Sequence, residues 1–94
     1  MKILVNNSFG SFRIKKEIRE KIWGEKGAHL VDNDEMRVNA DLIAMKENGE
    51  DIEDDYCELV VEEIPEGATD WMVTEYDGLE SLDVVVDGKI VYYR

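Results

Sequence analysis

The segment Leu82-Asp83-Val84-Val85-Val86, Asp87-Gly88, Lys89-Ile90-Val91-Tyr92-Tyr93 admits little besides a β-hairpin. Two runs rich in β-branched and aromatic residues flank a two-residue connection. A turn that short needs positive φ at both central residues, which Asp and Gly tolerate. The residues before it extend the same pattern. Tyr56 to Ile64 (YCELVVEEI) reads as a strand closed by Pro65, and Asp70 to Tyr76 (DWMVTEY) as another. In the latter, Trp71, Val73 and Glu75 share one face, and Met72, Thr74 and Tyr76 the other. Asp77-Gly78 marks a further turn.

The first half reads differently. Lys2 to Asn6 (KILVN) is a short apolar run and reads as a buried strand. Turn-type residues 7–11 follow, and then Ile14, Ile18 and Ile22 recur every fourth residue, which predicts a helix over Phe12 to Trp23 capped by Ser8 or Ser11. Gly24 and Gly27 end it. Residues 28–31 are expected to form a short strand and Asp32-Asn33-Asp34 a turn. A second helix is predicted over Ala40–Asn48, with Asn39 as its cap, Asp41 in its first turn, and Asn48-Gly49 as its stop. Glu50 to Asp55 carries five acids around Ile52 and is expected to be a solvated loop. The pattern β-α-(β)-α-β-β-β-β, across a 94-residue chain, defines one α+β domain spanning residues 1–94. Its expected architecture is two helices on one face of a mainly antiparallel sheet of four or five strands.

Charge divides along the same line. Residues 1–46 hold nine Lys/Arg and seven Asp/Glu, whereas residues 47–94 hold sixteen Asp/Glu and only Lys89 and Arg94 as bases, giving the chain a net charge of −12. Such a field opposes direct binding to nucleic acid and to anionic membranes, and favours basic proteins, including those that hold DNA or RNA. Carboxylates two residues apart on a strand lie about 7 Å from one another, close enough to successive phosphates of a nucleic acid strand for mimicry. The expected contacts are Glu58, Glu62, Glu63, Asp70, Glu75, Asp77 and Glu80, with Trp71 and Tyr76 as aromatic anchors.

Other chemistry is thinly represented. His29 is the only histidine and Cys57 the only cysteine, so neither a histidine pair for metal nor an intrachain disulfide can form. The acidic runs 32–35 and 51–55 lack the ligand spacing and central glycine of a calcium loop. No metal, cofactor or catalytic constellation is indicated. A second reading places a small ligand or phosphate on the loop from Asn6 to Phe12, with Asn6, Asn7, Ser8 and Gly10 lining the site and Ser11 offering backbone N–H at a helix start. A third pairs the Val84–Tyr93 hairpin with a second copy as a homodimer. The chain lacks a secretory apolar stretch and a membrane-length apolar run, so a cytoplasmic setting is expected.

Several segments together resemble a group of small, uncharacterised proteins encoded by tailed phages and prophages: Met1-Lys2-Ile3-Leu4-Val5-Asn6, Phe9-Gly10-Ser11-Phe12, Asp41-Leu42-Ile43, Glu63-Ile64-Pro65, Trp71, and Glu75-Tyr76-Asp77-Gly78-Leu79-Glu80. Ser11 departs from that pattern, which often has glycine there, and residues 82–94 follow it loosely. The resemblance implies a phage or prophage origin and a host cytoplasm, and the acidic charge then makes a basic host or phage protein the expected partner. It brings no activity, cofactor or catalytic residue.

Overall fold

The computed structural model describes residues 1–29 and 33–93. The α+β class holds. Strand β1 (Lys2–Asn6) leads to α1 (Lys16–Trp23), a 3₁₀ helix (Gly24–His29), α2 (Asn33–Arg37) and α3 (Ala40–Glu47). Four strands follow: β2 (Leu59–Glu63), β3 (Ala68–Tyr76), β4 (Leu79–Val86) and β5 (Lys89–Tyr92).

The strands form two antiparallel sheets rather than the single sheet expected. One pairs β1 with β2, and the other has the order β3-β4-β5. The physical reason lies in the KILVN run. Side chains alternate along a strand. Leu4, with its cross-strand partner Val61, faces a core that includes Phe12, Ile14, Met36, Leu42 and Ile52. Ile3 and Val5 face the opposite core, with Ile64, Leu82 and Val84. The β1–β2 ribbon is therefore a middle layer, with helices on one side and the three-stranded sheet on the other. Only a strand apolar on both faces can occupy that place.

Both predicted Asp-Gly turns are present. Asp77 and Asp87 have φ of 51° and 53°, followed by Gly78 at 90° and Gly88 at 75°. Asn39 caps α3 as expected, its side chain accepting the Leu42 N–H at 3.0 Å. Trp71 and Val73 face the inner core, and Met72, Thr74 and Tyr76 face out.

Elsewhere the sequence reading needs correction. Helix α1 starts at Lys16, four residues later than expected, and neither Ser8 nor Ser11 caps it. Residues 13–15 are instead extended against residues 52–54. Ile14 bridges Glu53, Lys15 N–H donates to Ile52 O at 2.9 Å, and Asp54 N–H donates to Arg13 O at 3.0 Å. Ile14 thus reaches the core from an extended backbone that also satisfies the polar groups of the 50–55 connector. That connector is only partly solvated, since Ile52 is fully buried. Asn33 and Asp34 begin a short helix rather than a turn, and Ala28 and His29 lie in the 3₁₀ helix. The remainder of the expected strand and turn, at Leu30, Val31 and Asp32, lies outside the described residues.

Gly10 and Gly78 show how tightly the first loop docks on the β3–β4 turn. A Cβ on Gly78 would stand 1.7 Å from the Gly10 carbonyl oxygen, and one on Gly10 would stand 1.6 Å from the Tyr56 carbonyl oxygen. A Cβ on Gly67 would meet nothing within 4 Å. Gly78→Ala should therefore cost about 2–4 kcal/mol in urea-monitored unfolding, from left-handed strain plus overlap. Gly67→Ala should change stability by less than about 1 kcal/mol.

Candidate functional site

Two of the residues expected to meet ligand or partner are part of the scaffold. Glu80 lies two residues before Leu82 and four before Val84, in the row of β4 that faces inward, and it is 7% exposed. Its carboxylate grips Arg37 at the end of α2 in a fork, with Nη1 to Oε1 at 2.7 Å and Nη2 to Oε2 at 2.5 Å. Glu80 Oε1 also accepts the Asn6 N–H at 2.7 Å, while Arg37 Nη1 donates to Leu4 O at 3.1 Å. The guanidinium lies 4.2 Å from the centre of the Phe12 ring. One ion pair therefore ties a helix, the middle ribbon and the outer sheet together.

Asn6 is the second. It is fully buried, and its side-chain amide donates to the carbonyls of Gly10 (2.9 Å), Gly78 (2.8 Å) and Ser8 (3.2 Å). Its Oδ1 accepts from Ser8 Oγ at 2.8 Å and from Glu58 N–H at 3.1 Å. No capacity remains for a ligand. Ser8 Oγ also lies 2.8 Å from the Tyr56 carbonyl, so that hydroxyl too is used internally. With α1 beginning only at Lys16, the loop delivers no helix N-terminus at Ser11, and the anion reading loses its dipole.

The loop does border a cleft of about 820 Å³, lined by residues 8–11, Arg13 and residues 55–58. Asn7 is outside it. Phe9 and Tyr56 stand exposed at its edge, Tyr56 at 89% and with φ of 65°, a left-handed backbone held by the Ser8 contact and the close approach of Gly10. Cys57 is half-buried on its wall. Burial, with smaller contributions from the Glu53 and Glu80 carboxylates, pushes its thiol pKa up. Cys57 is therefore not an activated thiol.

Three carboxylates at the α3 end and in the connector are paired with lysines of the first half: Lys2–Glu47 at 2.7 Å, Lys15–Asp51 at 2.8 Å and Lys46–Glu53 at 2.6 Å. Hydrogen bonds donated to Glu47 and Asp51 hold the Lys2 and Lys15 ammonium groups above their usual pKa. Glu63 lies 3.4 Å from the amino group of Met1. Glu62 is half-buried on β2, on the side of Val60 and Ile64 and opposite Ile3.

On the three-stranded sheet and its turns the situation is reversed. Among the described residues, no cation stands within pairing distance of Asp70, Glu75, Asp77, Asp83 or Asp87. Asp70, Met72, Tyr76, Asp83, Ile90 and Tyr92 share its outward face by the strand register. Glu75, Tyr76 and Tyr92 border a second hollow of about 420 Å³. Glu58 is exposed at the cleft instead, away from this face. Trp71 is half-buried against the inner core and serves packing rather than outward contact. Asp83, Asp87, Ile90 and Tyr92 were absent from the expected set. The β4–β5 register supplies them, and the alternation that puts Glu80 in phase with Leu82 and Val84 could have removed Glu80.

Among the described residues, no group of three or more His, Cys, Asp or Glu is placed to hold a metal ion, and no helix is long and apolar enough to cross a membrane. Comparison of the chain with protein-family models, curated proteins and solved structures gave no match.

Truncating either member of the buried pair, as Arg37→Ala or Glu80→Ala, should cost about 3–5 kcal/mol by leaving its partner charged and unpaired. The joint replacement Arg37→Met/Glu80→Leu should cost clearly less than the sum, as read by chemical unfolding. Iodoacetamide at mildly alkaline pH should alkylate Cys57 more slowly in the native than in the urea-unfolded chain, because the raised pKa leaves less thiolate.

Proposed function

We propose that this is a non-enzymatic interaction protein that binds a basic protein through the outward face and turns of its three-stranded sheet. The observation that carries the reading is the separation of paired from unpaired carboxylates. Lys2, Lys15 and Lys46 pair with Glu47, Asp51 and Glu53, and Arg37 with Glu80. The acids at positions 70, 77, 83 and 87 on the outward face and turns keep an unbalanced field, and Glu75, exposed near the end of β3 on the side of Trp71 and Val73, adds to it. Asp70 pairs with Val85 and Met72 with Asp83, so Asp70 and Asp83 are diagonal neighbours, roughly 7–8 Å apart at Cα. Carboxylates at that spacing suit a lysine- or arginine-rich surface that otherwise holds phosphates.

The hollow beside Tyr76 and Glu75 adds a place for one long cationic side chain, between an aromatic ring and a carboxylate. Exposed apolar groups at Met72, Tyr76 and Tyr92 give the surface contact area that charge alone does not. The resemblance to phage-encoded proteins makes host nucleic-acid-binding proteins of the cytoplasm the first partners to test.

A pull-down from host lysate with wild type and with Asp70→Asn/Asp77→Asn/Asp83→Asn, each at low and at high salt, tests the reading. The expected result is a basic partner captured by wild type at low salt, released at high salt, and captured at least about tenfold less by the variant. Equal capture by both proteins, or capture indifferent to salt, would contradict it.

A further inference from the structure

The two free edges of the outer sheet are built differently. The β3 edge carries Asp70 and Glu75 and is interrupted by a register shift between Ala68 and Asp70. Charge and irregularity of this kind keep a sheet edge from pairing with another chain. The β5 edge has neither. All four of its residues are exposed, with Ile90 at 67% and Tyr92 at 73%, and Lys89 is its only charge. Its ladder with β4 is regular from Lys89 to Tyr92. Tyr93 N–H donates to Leu82 O at 2.9 Å. Because the hydrogen-bonding direction alternates along a strand, Lys89, Val91 and Tyr93 turn their backbone groups toward β4. Ile90 and Tyr92 turn theirs outward.

We propose that β5 pairs antiparallel with β5 of a second copy about a two-fold axis at Val91, joining the outer sheets of two molecules into one. In this register Ile90 faces the second copy's Tyr92, both with outward backbone groups, so about four interchain hydrogen bonds form. The same pairing packs Ile90 and Tyr92 of each copy into one apolar cluster on the outward face, and sets Lys89 beside the second copy's Tyr93. The strand is its own complement in apolar character, and a basic partner finds no carboxylate on it. Lys89 rather than an acid lies in the seam, which keeps like charges out of it. The guarded β3 edges end association at a closed dimer rather than a filament.

Sedimentation across a concentration series, with and without added salt, reads the dimer directly. Added salt should strengthen it, because it screens repulsion between two chains of net charge −12. That is opposite in sign to the salt effect on a basic partner. Ile90→Lys and Tyr92→Lys should each weaken dimerisation at least about tenfold. Both make the chain less negative, so the loss would not come from repulsion between copies, and circular dichroism should show the fold intact. In a Cys57→Ser background, Val91→Cys should form an interchain disulfide with oxidised glutathione, since facing non-hydrogen-bonded residues lie about 4.5 Å apart at Cα. Ile90→Cys, diagonal to its counterpart, should not. A monomer at every concentration and salt, open-ended oligomers, or equal cross-linking at positions 90 and 91 would overturn the proposal.

Discussion

The contact on which the rest of this structure depends is the buried fork between Arg37 and Glu80. Its two residues come from α2 and β4, and its remaining hydrogen bonds fall on Asn6 N–H and Leu4 O of the middle ribbon. Two charges withdrawn from water lose hydration worth several kcal/mol each, so such a pair depends on good geometry and on further hydrogen bonds to its remaining polar atoms. Glu80 has both, while Arg37 Nε has no hydrogen-bond partner and lies 3.9 Å from Asp34 Oδ1, and the Phe12 ring lies over the guanidinium. The pair gives the layers a single register: α2, β1 and β4 cannot slide past one another without stranding a charge. Asn6 extends the same logic, holding the Gly10 loop and the Gly78 turn against each other.

This arrangement divides the carboxylates by purpose. Glu47, Asp51 and Glu53 satisfy Lys2, Lys15 and Lys46, and the two more exposed pairs, Lys2–Glu47 and Lys15–Asp51, each add at most about 1 kcal/mol. Glu80 is spent on architecture. Among the acids left without a cation within pairing distance, Asp70, Glu75, Asp77, Asp83 and Asp87 lie on the outer sheet and its turns, and Glu58 lies at the cleft. The outer sheet and its turns therefore keep carboxylates that the cations of the first half do not balance. Recognition of a basic surface follows from that remainder, and edge pairing through β5 would place two such faces side by side.

Local patterns carried most of the fold. The Asp-Gly turns, the Asn39 cap, the KILVN strand and the face assignment along β3 were all legible, because each rests on a few neighbouring residues. Failures came where a distant segment decided the outcome. Ile14, Ile18 and Ile22 match a helical repeat, yet Ile14 is extended because residues 52–54 offer it a backbone partner. The apolar run of β1 was read as buried, but that both faces were covered by different layers, and hence that there were two sheets, depended on where β4 came to rest. From sequence Glu80 looks like a surface residue because acids usually are, and nothing adjacent in sequence announces Arg37 as its partner. Asn6 looks like a ligand contact for the same reason. Its real partners, Gly10, Gly78 and Glu58, come together only in the fold.

Native-state hydrogen exchange at the Asn6 amide tests this account most directly. That N–H sits at the last residue of β1 beside exposed Asn7, where fraying would ordinarily permit fast exchange. If Glu80 holds the layers together, the amide should exchange only through global unfolding, with the same denaturant dependence as the core of β4. Exchange through a small local opening, at rates like those of the neighbouring loop, would show that Glu80 leaves its pocket in the folded protein and would contradict the assignment.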